Sequence, residues 1–379
     1  MKDSTTSTQQ GAHGGEVFRI ARETGTALSN ITDFSSNANS LCQDITEEIL
    51  FSNMQGAYSD YNHYPDTWSS ELTAAIATHE SVSQSELIVG HGSTETIFLT
   101  FQQLKPKKVL LVGPMFSEYA KACSVFAEEY EVINCPSDVS FIPDPAEFAI
   151  TADYDLVVLC SPNNPATVTY PNMREILKAI KSPYILLDST YREFLHGEPE
   201  YDATRTAMYR EWCNSSTRII TMHSFTKFFY CTGVRLGYAL SDTDTITKLK
   251  QGKMPWTVTA SAQKAGIEFL KRIDRYRERL PQMRTYRTMF TNEIRSTDVF
   301  ASDAIFCGVN FLFCRLKKPE QGAQFYQFLL ERNILVRLCD NIPGTEKGFI
   351  RMQVKSPEEW KTLITALHDW NALLNTSRC

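Results

Sequence analysis

From Leu87 onward, short runs rich in Val, Ile and Leu alternate with helix-like stretches. Residues 87–89, 108–112, 156–160, 184–187, 218–222 and 236–240 each read as a strand, most of them followed by a polar or glycine-containing turn. Runs that are apolar throughout suit strands covered on both faces, so the pattern predicts a mainly parallel sheet flanked by helices. In such sheets ligands gather beyond the carboxyl ends of the strands, and the residues just after each run become the ones to inspect. Residues 261–295 are charged and nearly free of helix breakers apart from Gly266 and Pro281, which predicts helices joining two domains. The pattern then changes. Residues 309–316, 334–338 and 349–354 are β-prone with partial alternation, while 321–331 and 358–371 are amphipathic at helical spacing, as in a smaller α+β domain with a sheet open on one face. The expected fold class is therefore α/β, with a large, mainly parallel domain and a smaller α+β domain.

A chain of 379 residues is too long for one small core, which agrees with two packed domains. No apolar run approaches the roughly 20 residues of a membrane helix, so no membrane partner is expected. The opening stretch, Met1 to Gly15, is polar and lacks the apolar segment of a secretory signal, giving a cytoplasmic expectation. A net charge of −6 without a basic stripe argues against nucleic acid and leaves small anionic ligands open. The ten cysteines, Cys42, Cys123, Cys135, Cys160, Cys213, Cys231, Cys307, Cys314, Cys339 and Cys379, are scattered with no C-x-x-C pair. Reduced, mostly buried thiols and no metal site are expected.

Ser224-Phe225-Thr226-Lys227 follows one predicted strand and precedes Arg235 by eight positions from the lysine. A strand-end lysine with hydroxyls before it and an arginine after it is what a Schiff base with pyridoxal phosphate needs: Lys227 supplies the amine, and Ser224, Thr226 and Arg235 can meet the phosphate. A single lysine is otherwise most often a solvated surface group. Asp188 ends another strand, with Tyr191 three residues on; a buried carboxylate there can hold a pyridine nitrogen protonated and a tyrosine can bond the ring oxygen, although an Asp after a strand is commonly just a helix cap. Asn164 lies in a Ser-Pro-Asn-Asn-Pro turn and can reach the ring oxygen or a substrate carboxylate. Gly92, Ser93 and Thr94 precede a helical stretch and offer backbone amides to a phosphate. Phe116, just beyond a further strand, can stack on the ring or serve as an ordinary core aromatic.

These motifs fall in one order at successive strand ends, and over nearly the whole chain that order resembles the fold-type-I pyridoxal-phosphate enzymes, in the branch of histidinol-phosphate aminotransferases and threonine-phosphate decarboxylases. The resemblance implies that Lys227, Asp188 and Tyr191 are catalytic, and that Gly92, Ser93, Thr94, Ser224, Thr226 and Arg235 hold the phosphate. Phe116 would stack on the ring, and Asn164 and Tyr191 would contact ring oxygen or substrate. Tyr64, in Tyr61-Asn62-His63-Tyr64-Pro65-Asp66, matches a tyrosine that reaches the neighbouring subunit's phosphate, which implies a homodimer. Residues 1–45 would join the small domain to the active site, 46–260 form the cofactor-binding domain, and 261–379 supply connecting helices and the small domain.

Three further stretches look more like threonine-phosphate decarboxylases than aminotransferases: Ala12-His13-Gly14-Gly15 with Asp33-Phe34-Ser35-Ser36-Asn37-Ala38-Asn39, then Met254-Pro255-Trp256-Thr257-Val258, and Val336-Arg337-Leu338-Cys339-Asp340-Asn341 running on to Arg351. The resemblance implies that Arg351 binds a substrate carboxylate and that His13, Asn37 and Arg337 bind a substrate phosphate, with Gly14 beside them. A small phosphorylated amino acid is the expected partner. The reaction implied is decarboxylation of O-phospho-L-threonine, or of O-phospho-L-serine, to aminopropanol or ethanolamine phosphate for the cobamide linker; the alternative is a histidinol-phosphate-type aminotransferase. A non-catalytic binding protein on the same fold is disfavoured by the joint presence of Lys227, Asp188 and Arg235. The sequence departs from the family pattern at Ala166-Thr167, where Thr-Gly is usual, and at Ser189, where an acidic residue is usual.

Overall fold

The structure, a computed structural model, describes residues 13–55 and 62–376. Most of the polar opening stretch, Tyr61 and Cys379 lie outside the described residues. Strands run in chain order as β1 (Thr32–Asp33), β2 (Leu87–Gly90), β3 (Lys108–Gly113), β4 (Glu129–Asn134), β5 (Leu156–Cys160), β6 (Tyr184–Asp188), β7 (Arg218–Ser224), β8 (Gly237–Leu240), β9 (Phe300–Cys307), β10 (Phe311–Leu316), β11 (Ile334–Leu335), β12 (Arg337–Leu338) and β13 (Phe349–Gln353). Seven of them form the main sheet, in the order β2-β8-β7-β6-β5-β3-β4. It is parallel except that β8 runs antiparallel to both its neighbours.

The all-apolar runs behave as their composition requires. Every residue of β2, β5 and β8 is buried, because helices such as Gly92–Leu104 and Thr243–Gly252 cover one face and other apolar groups the opposite one. Register then decides what meets at the carboxyl edge. Cys160 pairs with Asp188 and Asp188 with Met222, so the end of β6 sits between those of β5 and β7. Gly237 is opposite both Gly90 and Ser224, which sets the turn after β2 beside the turn after β7.

A four-stranded antiparallel sheet, β12-β13-β10-β9, follows the helices Ala260–Lys271, Ile273–Arg277 and Leu280–Ser296. Leu312 and Cys314 face a core with Phe290, Phe325, Trp360 and Leu367 from the surrounding helices. The expectation of one open face is corrected for its inner strands. On the other side of β10, Phe313 stacks on Phe349 at 4.3 Å and meets Phe141 at 5.6 Å, in a cluster continuous with Leu110 and Val157 of the main sheet. The single run expected at 334–338 is divided: Ile334 pairs with Thr32 in a short parallel ladder, and Arg337 begins the strand beside β13.

Among the described residues all cysteines are free thiols, buried except Cys213 and Cys307, and burial pushes Cys42, Cys123 and Cys135 up to about 12. No helix among them is long and apolar enough to cross a membrane, and no cluster of His, Cys, Asp or Glu is placed to hold a metal ion.

Candidate active site

A cleft at the carboxyl edge of the main sheet is lined by Lys227, Asp188, Tyr191, Asn164 and Phe116, with Ser93, Thr94, Ser224, Thr226 and Arg235. Lys227 lies on the one-turn helix Phe225–Phe228 that follows β7, and its Nζ donates to the Ser36 carbonyl at 2.7 Å. Burial, then the positive charges of Arg351 and Arg235, bring its pKa down to about 8, against the pull of Asp33. An amine so placed is largely cationic near neutrality yet readily gives up its proton, as a nucleophilic lysine must.

Asp188, at the end of β6, is 5% exposed. Burial raises its pKa, opposed by Thr190, whose N–H donates to Oδ1 at 2.9 Å, and by Tyr119, whose hydroxyl donates to Oδ2 at 2.8 Å. A carboxylate with so little water around it needs a cation to complete its stabilisation. Phe116 precedes the helix Ser117–Phe126 and presents its ring to the cleft.

The phosphate-sized corner follows from the register described above. Gly92 opens the helix Gly92–Leu104 at φ 75°, and a Cβ there would stand 2.6 Å from Arg235 Nη2. Only glycine lets that guanidinium close on the helix N-terminus, where amides and helix dipole favour an anion. Ser224 Oγ and Thr226 Oγ1 lie 2.8 Å apart beside it. Gly92 itself is behind the cleft wall.

His13, Gly14, Arg337 and Arg351 line the other side of the same cleft. Arg337 and Arg351 are 4% and 7% exposed. Arg351 Nη1 donates to Asn164 Oδ1 and Nη2 to the Ser35 carbonyl at 2.8 Å, leaving Nε buried without a partner. Arg337 donates to the Leu338 carbonyl at 2.8 Å and to Asn341 Oδ1 at 2.6 Å, and burial, with the Arg351 charge adding, lowers its pKa. His13 Nε2 stands 3.1 Å from Glu118 Oε1, so one ring nitrogen is already engaged. Gly14 packs so closely that a Cβ would come 2.0 Å from the Ser35 oxygen and 2.9 Å from Arg351 Nη2.

Two residues fall elsewhere. Asn37, fully buried at φ 56°, is outside the cleft lining: its Nδ2 donates to the Tyr191 hydroxyl at 3.5 Å and its Oδ1 is buried without a partner. Its side chain supports Tyr191, whose phenol burial pushes up to about 12. Tyr64 is 79% exposed and stacks on Trp256 at 4.5 Å, away from this chain's cleft. Sequence reasoning gave no role to Tyr119, Thr190 or Ser36. Tyr119 alone carried a usable signal, one helical turn beyond Phe116. Of the departures, Ala166 is buried, Thr167 takes the left-handed φ of 68° that a glycine adopts more easily, and Ser189 has a buried, unpartnered hydroxyl.

Residues 29–367 match the family model for aminotransferase class I and II. The threonine-phosphate decarboxylase of Salmonella typhimurium is 28% identical over 366 residues, 94% of this chain and 96% of that protein. The histidinol-phosphate aminotransferase of Desulfitobacterium hafniense is 29% identical over 334 residues, 84% and 86% of the two. The crystal structure of histidinol-phosphate aminotransferase from Sinorhizobium meliloti in complex with pyridoxal-5'-phosphate has a TM-score of 0.78 at 17% identity, covering 97% of each chain, a likeness of fold. An amine, a buried acid, an aromatic face and an anion corner closed by Arg235 over Gly92 together fit pyridoxal phosphate, and the fold and cleft define an enzyme that uses it. The chain belongs to the aminotransferase class I and II family, with pyridoxal 5'-phosphate as its cofactor.

Proposed function

We propose that this enzyme decarboxylates O-phospho-L-threonine to aminopropanol phosphate, a precursor of the cobamide linker, with O-phospho-L-serine as the second candidate substrate. The observation that carries this reading is the buried pair Arg337 and Arg351 in the same cleft as Lys227. A substrate with a carboxylate on Cα and a phosphate on its side chain offers one anion to each guanidinium.

In this reading Lys227 would hold the cofactor and Ser93, Thr94, Ser224, Thr226 and Arg235 its phosphate, with Gly92 letting Arg235 close on that corner. Asp188 would pair with the ring nitrogen, Phe116 would stack on the ring, and Tyr191 and Asn164 would bond the ring oxygen. Bound pyridoxal phosphate supplies an electron sink for the pair released when a bond at Cα breaks. Which bond breaks is decided by the chain's own groups: Arg351 fixes the carboxylate, while Arg337 and His13 fix the phosphate, with Gly14 leaving room and Asn37 buttressing Tyr191. Lys227 returns a proton to Cα after CO₂ has left. The assembly proposed is a homodimer in which exposed Tyr64 reaches the partner's cofactor phosphate. The proposed division is 1–45, 46–260 and 261–379.

An aminotransferase for histidinol phosphate is the second reading, supported by the comparable identity of that relative. Arg337→Ala separates binding of the phosphorylated substrate from cofactor chemistry: loss of one charge-assisted contact lowers kcat/KM on O-phospho-L-threonine by about 10- to 100-fold. Unchanged activity in that variant contradicts the proposal.

A further inference from the structure

We propose that Tyr119 is a positioning residue for the cofactor's ring nitrogen, acting through Asp188. The inference rests on the assignment of Asp188 to that nitrogen. Tyr119 is fully buried, and its hydroxyl meets Asp188 Oδ2 at 2.8 Å. The Thr190 N–H holds the other oxygen at 2.9 Å, so the carboxylate is gripped from both sides. Tyr119 stands one helical turn after Phe116 on Ser117–Phe126, and their rings meet edge-on at 6.4 Å and 84°. A single turn of helix thereby sets both the aromatic face of the cleft and the orientation of the acid.

A carboxylate has four lone-pair sites, so the donors from Thr190 and Tyr119 leave Asp188 able to accept again. Without the phenolic O–H, Oδ2 loses this donor in a dry site, and burial already favours the protonated acid. A neutral carboxyl no longer stabilises a cationic ring nitrogen. The consequence is specific: removing the hydroxyl must weaken recognition of the nitrogen and leave recognition of the phosphate and the ring face intact.

The test measures equilibrium binding of two ligands to the cofactor-free full chain: pyridoxal phosphate, and its analogue in which C–H replaces the ring nitrogen. Tyr119→Phe keeps the packed ring and removes only the hydroxyl. It is expected to weaken pyridoxal phosphate by about tenfold, the loss typical of a hydrogen bond to a charged group, with the analogue little changed. Asp188→Asn serves as the benchmark and shows the same selectivity more strongly. Equal weakening of both ligands by Tyr119→Phe, with Asp188→Asn still selective, overturns the role of Tyr119 alone. Loss of selectivity in Asp188→Asn itself removes the premise and the proposal with it. Should Tyr119→Phe fold poorly, a nearly isosteric fluorotyrosine at position 119 strengthens the donor and shifts the ratio the opposite way; an unmoved ratio also overturns the proposal.

Discussion

Arg337 of β12 and Arg351 of β13 are direct cross-strand partners. Like charges facing each other across an antiparallel ladder destabilise it, and these two are buried; Arg337 donates to Leu338 and Asn341 oxygens, among its contacts, and Arg351 to those of Ser35 and Asn164. A bound anion relieves the repulsion. Inorganic phosphate should therefore raise the melting temperature of the cofactor-loaded protein, by an amount equivalent to about 1.4 kcal/mol at roughly ten times its dissociation constant. In Arg337→Ala the phosphate-dependent rise should be largely lost, as followed by calorimetry.

Lys227 gives a pH dependence with a definite sign. Its pKa is about 8 in the folded chain against an ordinary 10.5. Between those values the unfolded chain binds more protons than the native one, so the contribution of this group to stability rises with pH. Below the lower value the cost of a buried ammonium is present in full, about 3 kcal/mol as an order of magnitude. Urea unfolding of the cofactor-free protein should show Lys227→Met more stable than wild type at neutral pH, with the gap closing across that window. The rate of cofactor capture by the wild type should rise with pH and level off above about 8.

Two glycines should separate cofactor from substrate. Gly92→Ala places a methyl 2.6 Å from Arg235 Nη2 at φ 75°, and the left-handed backbone alone costs about 1–2 kcal/mol. Weaker cofactor binding is expected from equilibrium dialysis. Gly14→Ala drives a methyl into the Ser35 carbonyl and toward Arg351. There KM should rise while the cofactor dissociation constant stays near that of wild type.

Glu80 and Arg192 form a fully buried ion pair behind the segment that carries Asp188 and Tyr191, at 2.7 Å, with Tyr238 also donating to Glu80. Burial acts to raise the Glu80 pKa, but Arg192, His223 and His79 outweigh it and bring it to about 2. The folded value is below the ordinary one, so this stabilisation is present above 4.5 and is lost as pH falls toward 2. Glu80→Gln removes the carboxylate paired with Arg192, leaving Glu193 as its remaining counter-charge, and should destabilise the protein by about 3 kcal/mol in urea titrations near neutral pH.

What the sequence made legible was the part governed by burial. Strands β2, β5 and β8 are buried throughout, and β3, β6 and β7 are buried apart from end residues, because both faces are covered, and the turns after them carry the chemistry. Strand β4, Glu-Tyr-Glu-Val-Ile-Asn, was missed because it is an exposed edge whose side chains do not report a core, and β9 is likewise half-exposed. Contacts between distant segments were also illegible. Ser36 receives the Lys227 proton donor through its backbone carbonyl, which any residue could supply, and Asn37 turns its side chain to Tyr191 because of a local left-handed backbone. Tyr64 faces solvent in the single chain, so its proposed role belongs to an assembly.

The central claim concerns which bond at Cα breaks, and it is tested by giving cofactor-loaded enzyme O-phospho-L-threonine and O-phospho-L-serine separately, with no 2-oxo acid, and following CO₂. Catalytic release from either, with the amine phosphate accumulating in equal amount, is the predicted result, and the ratio of kcat/KM values names the preferred substrate. No release, with turnover only when histidinol phosphate and 2-oxoglutarate are supplied together, would contradict the account and establish the aminotransferase.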